Sequence, residues 1–270
     1  MMQLYDCRLG LPVSLLSLSL GLTLLNISAA AQSKYTPPSA SASIVSGIPF
    51  SSGQALQSEI QQRFVECDRH NMCDGKPLTE YKCSTDPSHN TVFLKLGQQT
   101  IFYDAKMGVD ADGSELSKTH PGETDQPATS FRYKLPGSPS VNADKVPYIA
   151  VPGGSFRKNL GIGLGDVAAV VYKDHVVYAI VADVGPNCKI GEGSIQLHEM
   201  LIGAGHGCKM RDEQGVCTKP SNSGIENGVL YFIFTGSYPK IASGLTPQNI
   251  NDRLTTVGPA LMDALKKPAK

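Results

Sequence analysis

The sequence predicts a mainly β fold of the α+β type: a small closed β-barrel with peripheral helices, one of them near each end of the chain. Three observations lead there. Short apolar runs recur through the chain, at Val146–Val151, Asp166–Tyr172, Val176–Asp183 and Val229–Thr235. Runs that are apolar at successive positions suit strands covered on both faces. The 27 glycines and 18 prolines supply turns between such strands. Two further stretches, one before these runs and one after, repeat their apolar residues at helical spacing instead.

Taken in order, residues 1–31 are expected to be a secretory signal peptide. A short polar lead sets Arg8 against Asp6, an apolar run follows from Leu11 to Ile27, and Ser28-Ala29-Ala30-Ala31 closes it. The run contains Pro12, three serines and Asn26, and falls short of the ~20 apolar residues of a bilayer span. Cleavage after Ala31 is therefore expected rather than anchoring, with export to the extracellular space or a periplasm and no membrane partner afterwards. Residues 32–52 are rich in Ser, Ala and Pro and read as a flexible linker. Residues 53–270 read as one domain, about the size at which a single core suffices.

Within that domain Leu56, Ile60, Phe64 and Cys67 predict a helix from about Gly53 to Glu66. TVFLKL and TIFYDA flank Gly97-Gln98-Gln99 and predict a hairpin. The strand Val146–Val151 is ended by Pro152-Gly153-Gly154, and Lys173-Asp174-His175 turns the next two runs into a second hairpin. Ser194 can cap a helix carrying Ile195, Leu197, Met200 and Leu201. The last helix has Thr246 as its cap and Pro247 in its first turn, with Ile250, Leu254, Val257, Leu261 and Leu265 on one face.

Charge and cysteine content narrow the function. The formal net charge is zero, which argues against a nucleic-acid partner, since phosphate backbones demand a basic face. Six cysteines lie outside the expected leader: Cys67, Cys73, Cys83, Cys188, Cys208 and Cys217. An even set in an exported chain predicts three disulfides. Each half of the set is odd, so if all pair, at least one bridge must join the 67–83 group to the 188–217 group. Cys208 and Cys217 sit near His198 and His206 in sequence, but no C-x-x-C pair is present, and no metal site is expected.

Three acidic clusters could carry chemistry. Asp104 is followed by Asp110-Ala111-Asp112-Gly113 at the end of a strand; alternating aspartates closed by glycine suit a turn, a binding loop or a calcium grip, although the later ligands of an EF-hand are missing. Asp183 ends a strongly apolar strand before Gly185-Pro186, and Glu192 stands between two glycines just ahead of a helix. Two carboxyls at a barrel rim can flank one glycosidic bond, one protonating the leaving oxygen and the other activating water or attacking the sugar. The bland alternative makes Asp183 a turn former and Glu192 a favourable charge at a helix N-terminus. His198, Glu199 and His206 form the third cluster and read as structural. No G-x-S-x-G nucleophile motif is present.

From about Thr91 to Gly236 the sequence resembles the chitosanases of glycoside hydrolase family 75. The likeness is densest in FYDAKMGVDADG, PYIAVPG, GDVAAVVYKDHVVYAIVADVGP and KIGEGSIQLHE. The resemblance implies a barrel of the double-psi type and an endo-acting β-1,4-glucosaminidase that works by inversion without a cofactor. It implies Asp183 and Glu192 as the essential carboxylates, with the acid and base roles between them open. Asp110 and Asp112 match the family's D-x-D-x-D-G-like segment, with Gly108 where some members carry a further aspartate. Asp104, Asp110 and Asp112 are candidates for lining a substrate cleft, because chitosan carries protonated amines that carboxylates attract. The expected partner is that polysaccharide, and the expected state a monomer. An expansin-like wall-binding barrel and a peptidoglycan-cleaving enzyme are the rival readings.

Overall fold

A computed structural model describes residues 34–56, 58–78, 83, 92–120, 122, 126–221 and 223–267. The expected leader lies outside them. In chain order the elements are β1 Gln54–Ala55, α1 Ser58–His70, β2 Met72–Cys73, β3 Lys76–Pro77, β4 Val92–Leu96, β5 Thr100–Asp110, α2 Glu115–Thr119, β6 Tyr148–Pro152 and α3 Ser155–Asn159. There follow β7 Val167–Tyr172, β8 His175–Gly185, β9 Glu192–Ser194, α4 Ile195–Ile202, β10 Cys208–Arg211, β11 Cys217–Pro220, β12 Ile225–Phe234, α5 Pro239–Ala242 and α6 Ile250–Lys266.

Six strands close into a mixed barrel in the order β5-β12-β7-β8-β6-β9, with β9 pairing back onto β5. Pairing is parallel between β6 and β8 and between β5 and β9, and antiparallel elsewhere in the ring. β4 and β1 extend the sheet beyond β5. Both faces of the strands are buried, which is why the sequence shows runs rather than alternation. Along β5, Ile101, Tyr103, Ala105 and Met107 join one apolar cluster and Phe102 the other. The second cluster also takes in Ile250, Leu254 and Met262 of α6.

Most predicted elements appear, with shifted ends. Residues 34–52, expected to be a flexible linker, instead lie packed: Val45, Ile48 and Phe50 are buried, and the rings of Tyr35 and Phe50 meet Phe102. The composition is polar and small, but these few apolar side chains find a partner surface. The first helix starts later than expected because Gln54 and Ala55 pair with Lys95 and Leu94 as an edge strand. It then runs on to His70. The last helix begins at Ile250 rather than at Thr246, since the Asn249 Oδ1 accepts the Thr246 N–H at 2.9 Å and folds the preceding residues into a turn.

The six cysteines pair as Cys67–Cys83, Cys73–Cys188 and Cys208–Cys217. The middle bridge joins the two halves of the set, as the parity of the groups requires. Close by, a buried ion pair between Asp68 and Lys106 fastens α1 to β5. Among the described residues no helix is long and apolar enough to cross a membrane.

Candidate active site

The barrel strand β6 organises the site. On one side of it Ala150 faces Asp183 of β8; on the other the same Ala150 faces Glu192 of β9. The two acids therefore lie in one row, two strand spacings apart, with an alanine between them. Residues opposite each other on adjacent strands share a face, so both side chains leave the sheet on the side of that small methyl group. The register of β6 on β8 slips by one residue between Ile149 and Ala150. Such an irregularity re-aims the side chains beyond it, and here Asp183 is the first of them.

Local sequence explains how β9 fits. Gly191 has φ +76°, and a Cβ there would stand 2.0 Å from the carbonyl oxygen of Lys106. Only glycine lets the chain pass that close to β5. Two residues after Glu192, the Ser194 Oγ accepts the Leu197 N–H and caps α4, accepts the Tyr148 N–H, and donates to the Val146 carbonyl. Glu192 is thus clamped between a glycine-permitted crossing and a capped helix.

Each acid has distinct surroundings. The Asp183 Oδ1 accepts the Ser130 N–H at 2.9 Å, the Ser130 hydroxyl at 2.6 Å and the Val184 N–H at 2.8 Å. Glu192 meets the Lys189 ammonium at 2.5 Å. The Asp110 Oδ1 accepts the Asp112 N–H and the Tyr148 hydroxyl, each at 2.9 Å. Asp112 accepts the Gln126 N–H at 2.6 Å. All four carboxyls, with Lys189 and Gln126, line a cavity of about 350 Å³.

Carboxyl oxygens of Asp110, Asp112 and Asp183 fall within 4.8 Å of one another. Three ionised groups at that distance repel strongly, so the trio favours retaining a proton. Burial, and then the charges of Asp183 and Glu192, push Asp110 up to about 8. Burial, the charge of Asp110 and a hydrogen bond with Asp183 push Asp112 up to about 10. Such a trio can share a proton or hold a cation, and nothing beyond its proximity points to a metal.

Of the acids singled out from sequence, Asp110, Asp112, Asp183 and Glu192 meet at this cavity. Asp104 is not among its lining residues: it sits mid-strand on β5, buried, and accepts the Tyr35 hydroxyl at 2.8 Å. His198 is buried, its ring nitrogens 3.0 Å from the Ser194 carbonyl and 3.1 Å from that of Met107, a structural placement. Cys208 and Cys217 are bonded to each other. Sequence reading passed over Lys189, Ser130, Tyr148 and Gln126. Lys189 had a usable signal, three residues ahead of Glu192 in the same glycine-rich loop; Ser130 had none.

No curated protein matches the chain significantly. A family model described as fungal chitosanase of glycosyl hydrolase group 75 matches residues 107–263, more than half of the chain. That span holds Asp110, Asp112, Asp183 and Glu192 and leaves Asp104 outside. A match over that length makes this chain, with its closed mixed barrel, a member of the group 75 glycosyl hydrolase family of fungal chitosanases.

Proposed function

We propose that the protein is a secreted, endo-acting chitosanase that cleaves β-1,4-glucosamine linkages with inversion, Glu192 serving as general acid and Asp183 as general base. The observation that carries this reading is the row Glu192–Ala150–Asp183 across three barrel strands. Two strand spacings put the Cα atoms roughly 9–10 Å apart. Inverting glycosidases hold their carboxyls about 6.5–9.5 Å apart, leaving room for a water, whereas retaining ones hold them at about 5–5.5 Å. Side chains that leave one face across such a span have room for a water between their carboxyls.

In the mechanism Glu192 protonates the leaving oxygen while Asp183 takes a proton from the water that attacks the opposite face of the sugar. Ser130 and the Val184 N–H fix Asp183 through Oδ1, so the carboxylate is oriented before substrate arrives. As Glu192 gives up its proton, the charge that develops on it faces the Lys189 ammonium. A cation waiting at that place stabilises the transition state more than the neutral acid before it. Asp110 and Asp112 line the same cavity and offer carboxyl oxygens to the polar groups of the sugar. Three disulfides fit a protein that works outside the cell.

The test is hydrolysis of soluble chitosan, carboxymethyl cellulose and peptidoglycan, read by reducing ends, with Asp183→Asn and Glu192→Gln beside the wild type. Chitosan alone should be cleaved. Each variant, folded by circular dichroism, should lose ~10²–10⁴-fold in rate. Azide should rescue the Asp183 variant and not the Glu192 variant, because a small nucleophile replaces an activated water but not a proton donor. Proton NMR of the first product should show the α-anomer; an initial β-anomer rejects inversion, and a tenth or more of wild-type rate in either variant rejects the pair.

A further inference from the structure

We infer that Asp112 is a positioning residue for Asp183: it keeps its carboxyl protonated and donates that proton in a hydrogen bond, so that Asp183 stays ionised and ready to act as base. This rests on the reading of Asp183 as base given above. The geometry comes from two sides. Asp112 is tethered by the Gln126 N–H at 2.6 Å, and a carboxyl oxygen of Asp112 lies within 4.8 Å of one of Asp183, at the same cavity. Two carboxyls can bond to each other only with a proton between them. The Asp183 Oδ1 already accepts hydrogen bonds from three donors, so that oxygen serves as an acceptor and has no proton to give. Asp112 has one such bond, from Gln126, and faces the carboxyl of Asp110. The proton therefore belongs on Asp112.

Other charged and polar groups around the pair reinforce this division. Asp110 of β5, its pKa itself raised to about 8, adds negative charge only toward alkaline pH, and its Oδ1 accepts the Tyr148 hydroxyl of β6. Glu192 of β9 faces Lys189, whose ammonium lies 2.5 Å from it. Without a proton on Asp112, Asp183 would meet a second negative charge in place of a donor.

Two variants at one position separate the alternatives. Asparagine keeps a donor where the protonated carboxyl was; alanine removes it. The acid limb of the kcat/KM profile reports the ionisation of the free enzyme's base. Asp112→Ala should move that limb upward by about one pH unit and lower kcat/KM, while Asp112→Asn should leave the limb where it is in the wild type. If both variants move it downward, Asp112 is ionised and merely repels Asp183, and the inference fails; it fails also if neither variant moves it. A second measurement needs no variant and no activity. A carbon-13 titration of the wild-type carboxyls should find the Asp112 carboxyl still protonated well above the ordinary carboxylate range while Asp183 is ionised. A normal titration of Asp112 overturns the inference even if Asp183→Asn is inactive, and an active Asp183→Asn overturns only the reading of the base.

Discussion

Asp110 and Asp112 carry raised pKa values, to about 8 and about 10, against ordinary carboxylates near 4. Both shifts come first from burial, which disfavours the charged form. An acid raised on folding binds its proton more tightly in the folded state, so the stability it contributes is fully present at low pH. That contribution declines as pH rises from about 4 through about 8 for Asp110 and on to about 10 for Asp112. The double variant Asp110→Asn, Asp112→Asn cannot ionise at these positions. Its Tm should therefore fall less than that of the wild type between about pH 5 and about pH 8; parallel curves would show that neither shift is real. Sequence alone made Asp183 and Glu192 legible, because one ends an apolar strand and the other stands between glycines. Ser130, 53 positions from Asp183, was not legible, since a loop serine carries no periodicity and its use depends on barrel closure.

At the scale of elements, α4 and β9 form one unit whose hinge is Ser194. Its hydroxyl serves as helix cap, as acceptor for a buried N–H of β6 and as donor to the Val146 carbonyl. An ordinary cap is worth ~1 kcal/mol. Ser194→Ala also leaves a buried N–H and a buried carbonyl without their partner, at ~1 kcal/mol or more each. The expected loss is about 3 kcal/mol or more in denaturant unfolding, and a loss near that of a plain cap would mean that water replaces the missing bonds. Strands were the most legible elements, since an apolar run needs no distant partner to be recognised. The start of α1 was not, because whether Gln54 and Ala55 coil or extend depends on the free edge of β4. Residues 34–52 misled for a related reason. A few apolar side chains among serines and prolines look insufficient until the surface that receives Val45 and Phe50 exists.

Over the whole molecule, the disulfides differ in reach. Cys73–Cys188 spans 115 positions and Cys208–Cys217 only 9. In the chain-entropy model a longer closed loop stabilises more, about 5 kcal/mol against about 3 for these two. Cys73→Ser with Cys188→Ser should lower Tm more than Cys208→Ser with Cys217→Ser, and the reverse order would place the dominant effect in native packing. Cys188 also immediately precedes Lys189, so the longer bridge holds the loop that pairs with Glu192. A final consequence follows from the closed ring of six strands. An open sheet has a border along which a strand can slip by a residue; a ring has none, and shifting β6 against β8 or β9 would break pairing around the whole circuit. Ala150 therefore acts as a fixed gauge between Glu192 and Asp183, and loops at the rim can vary in length without altering it. On the proposed mechanism the room for the attacking water starts from the main-chain ladder of the barrel, and the side chains that reach into it set the rest.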